Sequence, residues 1–190
     1  IRICVDVFRP DVEGEKFPAL IAWAAYGKSL QSLRRPPLQA NNLMFDHTIE
    51  AGELEYFVPR GYVYVIPDPR GIGKSEGEFD GPQGPQEQED SHDLIEWVAQ
   101  QPWCDGQVAM IGLSYFGTMQ LLTAAHQPPH LREIMPISVR PSAYLTSYYE
   151  GILTTGSTRF LGLLPTNKEF KSFAERENSP EELKRKMKER

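Results

Sequence analysis

The stretch "VAMIGLSYFG", residues 108–117, sets Ser114 between an apolar run and a glycine-bearing helix start. A serine hydroxyl is a weak nucleophile. It needs a base to take its proton, and donors to hold the oxyanion that its attack creates. A sharp strand-to-helix turn meets the second need, because it lifts the side chain above a sheet and aims the next residue's N–H at the same point. Gly112 would relieve crowding in such a turn, and Gly117 would let the helix lie close to the sheet. The usual G-x-S-x-G spacing is broken, since Phe116 stands where the second glycine belongs. Taken alone, the junction serves two readings: a nucleophile, or a serine capping the helix that begins near Tyr115.

Two further stretches bear on the same chemistry. "AWAAYGK", residues 22–28, follows an apolar run. In a hydrolase built on a serine turn, the loop there supplies the other half of the oxyanion hole. Tyr26 has a phenol able to donate; the plainer reading is an aromatic at a strand end. "DPRGIGKSEGEF", residues 68–79, contains "GIGKS" and invites comparison with a phosphate-binding loop. The spacing excludes it, because Asp68 occupies the place of the required first glycine. A structural glycine-rich loop is expected, with Asp68 and Arg70 paired inside it.

The elements that must position these residues follow from pattern. "IRICVDVFRP" alternates as a strand, and "ALIAWAAYG" is a second apolar run ended by glycine. A less regular region follows, with "RRPP" forcing extended or turn structure near residues 34–37. Tyr62 to Pro67 reads as a buried strand. "EDSHDLIEWVAQQPWC" reads as a helix with Leu94, Ile95, Trp97 and Val98 on one side, Asp90 or Ser91 as its cap, and Pro102 past its end. "QVAMIGL" is a strand, "FGTMQLLTAAHQ" a helix and "LREIMPISV" a strand. Strands alternate with helices, and the later strands are continuously apolar. This predicts an α/β fold, a mainly parallel sheet with helices on both faces. After a boundary near Pro141 the rhythm stops, and "SPEELKRKMKER" carries a capping box at Ser179 and Glu182.

Composition narrows the function. The 190 residues carry a net charge of −6 without a basic block, which argues against a nucleic-acid partner. No apolar run reaches the roughly 18 residues of a membrane span. Cys4 and Cys104 form neither a metal-ligand spacing nor a disulfide framework, and both are expected as buried thiols. No positively charged, apolar leader is visible ahead of Ile1, and a chain opening without Met is expected to lack its true start.

Together these motifs resemble the cocaine esterase and Xaa-Pro dipeptidyl-peptidase group of α/β hydrolases. "WVAQQPWCDGQVAMIGLSYFG" is similar to that group's W-x-x-x-Q-P-W-x-x-G-x-V-x-x-x-G-x-S-Y-x-G run. "DPRGIGKSEGEF" resembles its D-x-R-G-x-G-x-S-x-G loop, and "AAYGK" the loop bearing its oxyanion tyrosine. In that group glycine comes at the third position after serine, so Phe116 fits. The resemblance implies an α/β-hydrolase core over residues 1–140 and the start of a helical cap over 141–190. It implies Ser114 as nucleophile, with the Tyr115 N–H and the Tyr26 hydroxyl as the oxyanion hole. The implied reaction is acyl transfer to water through an acyl-enzyme, on a small-molecule ester or peptide substrate, with no cofactor and no metal.

This fold places its triad in the order serine, acid, histidine. No aspartate follows Asp105, and only His126 and His130 follow Ser114, with no carboxylate before either. His126 lies 12 positions along the helix, roughly 18 Å from Ser114 at the helical rise. His92, expected in the first turn of its helix, and His47 precede the serine. The expectation is therefore an N-terminal piece that lacks the acid and the histidine and is inactive alone. The strand near residues 133–139 would then expose an apolar edge prone to association. The alternative is a degenerate hydrolase fold that acts as a non-enzymatic binding module.

Overall fold

The computed structural model of the chain describes residues 1–28, 44, 45, 50–139, 142, 144 and 147–154. Its centre is a five-stranded sheet. In chain order the strands are β1 (Val5–Phe8), β2 (Phe17–Ile21), β3 (Val63–Pro67), β4 (Cys104–Leu113) and β5 (Leu131–Ile137). In space they run β1-β3-β2-β4-β5. β1 pairs antiparallel with β3, and every other pairing is parallel. The α/β sheet expected from the sequence is thus present, mostly parallel as predicted.

Burial explains the contrast between strands. β3 lies inside the sheet and is buried at all five positions, which is why "VYVIP" is continuously apolar. β1 is an edge strand, half-buried at Val5, Asp6 and Val7 and exposed at Phe8. The paired registers put Ala19, Ile21, Val63, Val65, Val108 and Met110 in phase, all at 1% exposure or less.

The helices are α1 (Leu54–Phe57), a single turn continued by a 3-10 turn (Val58–Arg60), α2 (Pro85–Ala99) and α3 (Tyr115–Ala125). α2 and α3 touch through a buried bond in which Thr123 Oγ1 donates to Ser91 Oγ at 2.9 Å, so they share one face. The other face carries Tyr64 and Ile111, which pack with Phe57 of α1 around Gly52. Tyr64 donates its hydroxyl to the Ala51 carbonyl there. A short antiparallel pair follows the core, β6 (Tyr148–Tyr149) and β7 (Ile152–Leu153). The expected tail helix, the "RRPP" segment, His47 and nearly all of residues 141–190 lie outside the described residues.

Several local expectations are corrected. α2 begins at Pro85 behind Gly84, not at Asp90 or Ser91, because proline's fixed φ and missing N–H suit a first helical turn. Asp90, Ser91 and His92 are therefore interior positions of that helix. Leu94, Ile95 and Val98 are buried as expected, but Trp97 is 45% exposed and meets Trp103 edge-on. Cys104 is buried, whereas Cys4 is only half-buried.

Gly117 is what brings α3 down onto β5. A Cβ there would stand 2.4 Å from Val139 Cγ1 and 2.9 Å from the Ile137 carbonyl oxygen. In an open helix, Gly→Ala stabilises by about 1 kcal/mol; overpacking a closed contact costs about 1–3 kcal/mol. Gly117→Ala is expected to lower the urea unfolding midpoint, and a raised midpoint would show that α3 has room to spare.

Candidate active site

β4 ends at Leu113 and α3 begins at Tyr115, so a single residue makes the turn between them. That residue is Ser114, with φ 57° and ψ −112°. A positive φ is rare for a residue with a side chain and needs surrounding structure to hold it. Three backbone bonds do so. Ser114 N donates to Ile137 O at 2.9 Å, Leu113 N to Glu50 O at 2.9 Å, and Thr118 N to Ser114 O at 2.9 Å. Gly112 leaves the room required, since a Cβ on it would lie 2.4 Å from Phe116 Cβ. Gln120, fully buried in α3, donates its amide to the Gly112 carbonyl at 3.2 Å. Ser114 makes no side-chain cap of α3, and its side chain is left half-buried above the sheet.

The Tyr26 side chain lies beside that of Ser114. Its ring lies 5.4 Å from that of Tyr115 and 5.8 Å from that of Phe116, both tilted by 59°. Burial and the nearby Glu50 carboxylate raise the Tyr26 pKa above the ordinary phenol value, against the opposing effect of the neighbouring Ser114 hydroxyl. The phenol therefore stays a neutral donor throughout the neutral range. The Tyr115 N–H belongs to the first turn of α3, where backbone donors have no acceptor within the helix. Ser114, Tyr115 and Tyr26 thus converge, although 88 residues separate the first from the last.

The loop that carries Tyr26 is tied down by Asp68, at 1% exposure. Its Oδ1 accepts from Lys28 N at 2.8 Å and its Oδ2 from Lys74 N at 3.0 Å. Burial raises the pKa of this carboxyl, while the two backbone bonds and the Lys28 charge oppose the rise. Gly73 is required beside it, because a Cβ there would meet the carboxylate at 2.3 Å. Lys28 in turn reaches Asp6 of β1 at 2.8 Å. The expected pairing of Asp68 with Arg70 does not occur. Asp68 points into the loop junction, while Arg70 leaves it and makes a two-pronged pair with Asp90 at 2.8 and 2.6 Å. The sequence reading missed Asp68's real partners because backbone N–H groups leave no trace in residue types.

The described histidines lie elsewhere. His126 caps the far end of α3 and bonds Gln88 Oε1 at 3.0 Å. His130 pairs with Glu96 at 2.6 Å, and His92 with its neighbour Asp93 at 3.2 Å. Among the described residues, no group of three or more His, Cys, Asp or Glu side chains comes together to hold a metal ion.

Known proteins share this arrangement of elements. The sequence model of the X-Pro dipeptidyl-peptidase (S15) family matches residues 1–188. A cocaine esterase from a Rhodococcus species is 33% identical over 149 residues, covering 78% of this chain and 23% of that protein. A Bacillus anthracis protein, provisionally named an Xaa-Pro dipeptidyl-peptidase, is 28% identical over 171 residues, covering 78% of this chain and 28% of its own length. The chain therefore spans about a quarter of these curated relatives. A crystal structure of a CocE/NonD family hydrolase from Staphylococcus aureus superposes with a TM-score of 0.73 at 28% identity, over 87% of this chain and 31% of that one.

Asp68→Asn keeps the shape of the side chain but turns one acceptor into a donor facing a backbone N–H. A buried donor left without an acceptor costs about 1–3 kcal/mol. The urea midpoint is expected to fall accordingly; an unchanged midpoint would mean that water satisfies one of these amides.

Proposed function

The chain belongs to the X-Pro dipeptidyl-peptidase (S15) family of α/β hydrolases, and on that premise we propose that Ser114 is the nucleophile of an acyl-transfer site. The substrate is a small-molecule ester or a peptide. The observation that carries this reading is the strained strand-to-helix turn at Ser114, whose side chain does not cap α3 and lies beside the Tyr26 phenol. A serine needed only as a helix cap would bond its own helix through its hydroxyl, and the Ser114 side chain makes no such bond.

Ser114 Oγ attacks the substrate carbonyl carbon and its proton passes to a base. The carbonyl oxygen becomes an oxyanion and receives the Tyr115 N–H and the Tyr26 hydroxyl. Collapse expels the alcohol or amine and leaves an acyl group on Ser114, which water then removes. The raised phenol pKa suits the second donor: a neutral Tyr26 gives a hydrogen bond, whereas a phenolate would repel the oxyanion.

The base and its acid are not available here. No serine–acid–histidine order exists within the 190 residues, and His126 is held by Gln88 at the other end of α3. We assign both roles to residues outside this chain, in keeping with its quarter share of the relatives' length.

In the full-length protein, Ser114→Ala is expected to abolish p-nitrophenyl acetate turnover. Tyr26→Phe is expected to lower kcat about 10²- to 10³-fold with little change in KM, as for loss of one oxyanion donor. Full turnover by Ser114→Ala would sink the reading. The 190 residues alone are expected to turn over the ester far more slowly. A serine without its base keeps only oxyanion-hole and binding effects, about 10³- to 10⁴-fold over water.

A further inference from the structure

α2 brings a buried carboxylate toward the site that the chemistry above leaves unused. Glu87 lies in the first turn of α2 and is 3% exposed. Its Oε1 accepts from Trp23 Nε1 at 2.9 Å. Its Oε2 accepts from the Tyr115 hydroxyl at 2.7 Å and from Gln83 N at 2.6 Å. Gln83 N also reaches the Tyr115 oxygen at 3.1 Å. A glutamate is seldom buried this deeply unless it is bonded. Here all three bonds come from neutral donors, so the carboxylate joins segments and does not neutralise a cation.

Where those donors sit matters. Trp23 is three residues before Tyr26, in a run whose members Ala24 and Ala25 are each 2% exposed. Tyr115 is the residue after Ser114, its ring is 3% exposed, and it stacks obliquely on Tyr26. One carboxylate therefore holds a side chain from each segment that supplies an oxyanion donor. We infer that Glu87 is a positioning residue of the acyl-transfer site, setting the Tyr26 loop and the start of α3 at a fixed separation. This rests on the roles given above to Ser114, Tyr26 and Tyr115.

The physical reason is tolerance. Donors to a developing oxyanion act only when held within about 0.5 Å of their productive places. The Tyr26 hydroxyl is at the end of a long side chain on a loop, and the Tyr115 N–H is on a helix from a different part of the chain. No bond between their own backbones fixes the distance. Glu87 supplies that link through the indole on one side and the phenol on the other.

The test is Glu87→Gln in the full-length protein, with p-nitrophenyl acetate as substrate. Glutamine keeps the shape and one acceptor but turns an amide N–H₂ toward donors. The expected result is a fall in kcat of about 10²-fold with KM nearly unchanged, the signature of misplaced transition-state contacts. The fall is expected to shrink sharply in a Tyr26→Phe background, where one of the positioned donors is already gone. A purely structural role would lower the melting temperature while leaving kcat per folded molecule intact, or would multiply independently with Tyr26→Phe; either result overturns the inference. Should Glu87→Gln fail to fold, Tyr115→Phe removes one hydroxyl from the same link. It is expected to show the same loss in kcat at constant KM, and a wild-type kcat there overturns the inference. Ser114→Ala separates the two readings. If it is active, the nucleophile assignment falls; if it is dead while Glu87→Gln has wild-type kcat, only the role of Glu87 falls.

Discussion

The backbone of one residue constrains everything around it. At Ser114 the chain changes from strand to helix within a single position, at φ 57°. A non-glycine residue held there costs on the order of 1–3 kcal/mol, so the surroundings must over-determine it. They do so from several directions. The Ile137 carbonyl of β5 takes the Ser114 N–H, and the Glu50 carbonyl takes that of Leu113. Gly112 and Gly117 remove the two side chains that would collide with Phe116 and Val139. β5 is therefore part of the turn as well as a neighbour of β4. The parallel sheet holds the turn, and the turn in effect sets the height of α3 above the sheet.

The second half of the site is held by a different means. The Tyr26 loop leaves the sheet after Ile21, with one last backbone bond to β3 from Ala22 N to Val65 O at 3.1 Å. Asp68 replaces the ladder by taking one N–H from Lys28 and one from Lys74. One buried carboxylate thus stitches the loop after β2 to the loop after β3. This explains the glycines of "RGIGKSEG" without any phosphate. Gly73 makes room for the Asp68 carboxylate, and Gly71 for the backbone at Glu78 and Phe79. Arg70, freed from Asp68, fastens the same loop to α2 through Asp90.

The legible and the illegible parts divide along physical lines. Continuous apolar runs mark strands inside the sheet, as in β3 and the "VAMIGL" of β4, whereas edge strand β5 shows Arg132 and Glu133 at exposed positions. The serine between Gly112 and Gly117 was legible because a tight strand-to-helix turn needs small residues at fixed places. The start of α2 was not legible, because "GPQEQED" contains no apolar residue to show a helical period. Its helix is set by Pro85 and by burial of Glu87, a residue whose type argues for exposure. Asp68 was seen but given the wrong partner. Opposite charges two positions apart invite pairing on paper, but the Asp68 carboxylate is taken by the Lys28 and Lys74 N–H groups and Arg70 by Asp90. Gln120 and Glu87 left no sequence signal of their own, since their partners Gly112, Trp23 and Tyr115 lie at least eight positions away.

The proposed use of the Tyr26 hydroxyl as donor gives a reason for how its surroundings are built. A backbone N–H is placed by the fold itself, as Tyr115's is by α3. A phenol is placed by its side chain and loop, each of which can move. Using one therefore transfers the demand for precision to whatever restrains that loop. Restraints arrive on both sides of Tyr26: Lys28 N is held by Asp68, and the Trp23 indole by Glu87. Both acceptors are carboxylates, and both are buried to 3% exposure or less. Charged acceptors make stronger bonds than neutral ones, and exclusion of water strengthens them further. Burial also raises the Tyr26 pKa, so the packing that restrains the phenol keeps it protonated. Position and protonation state thus follow from the same desolvated setting, and a change that lets water in would weaken both.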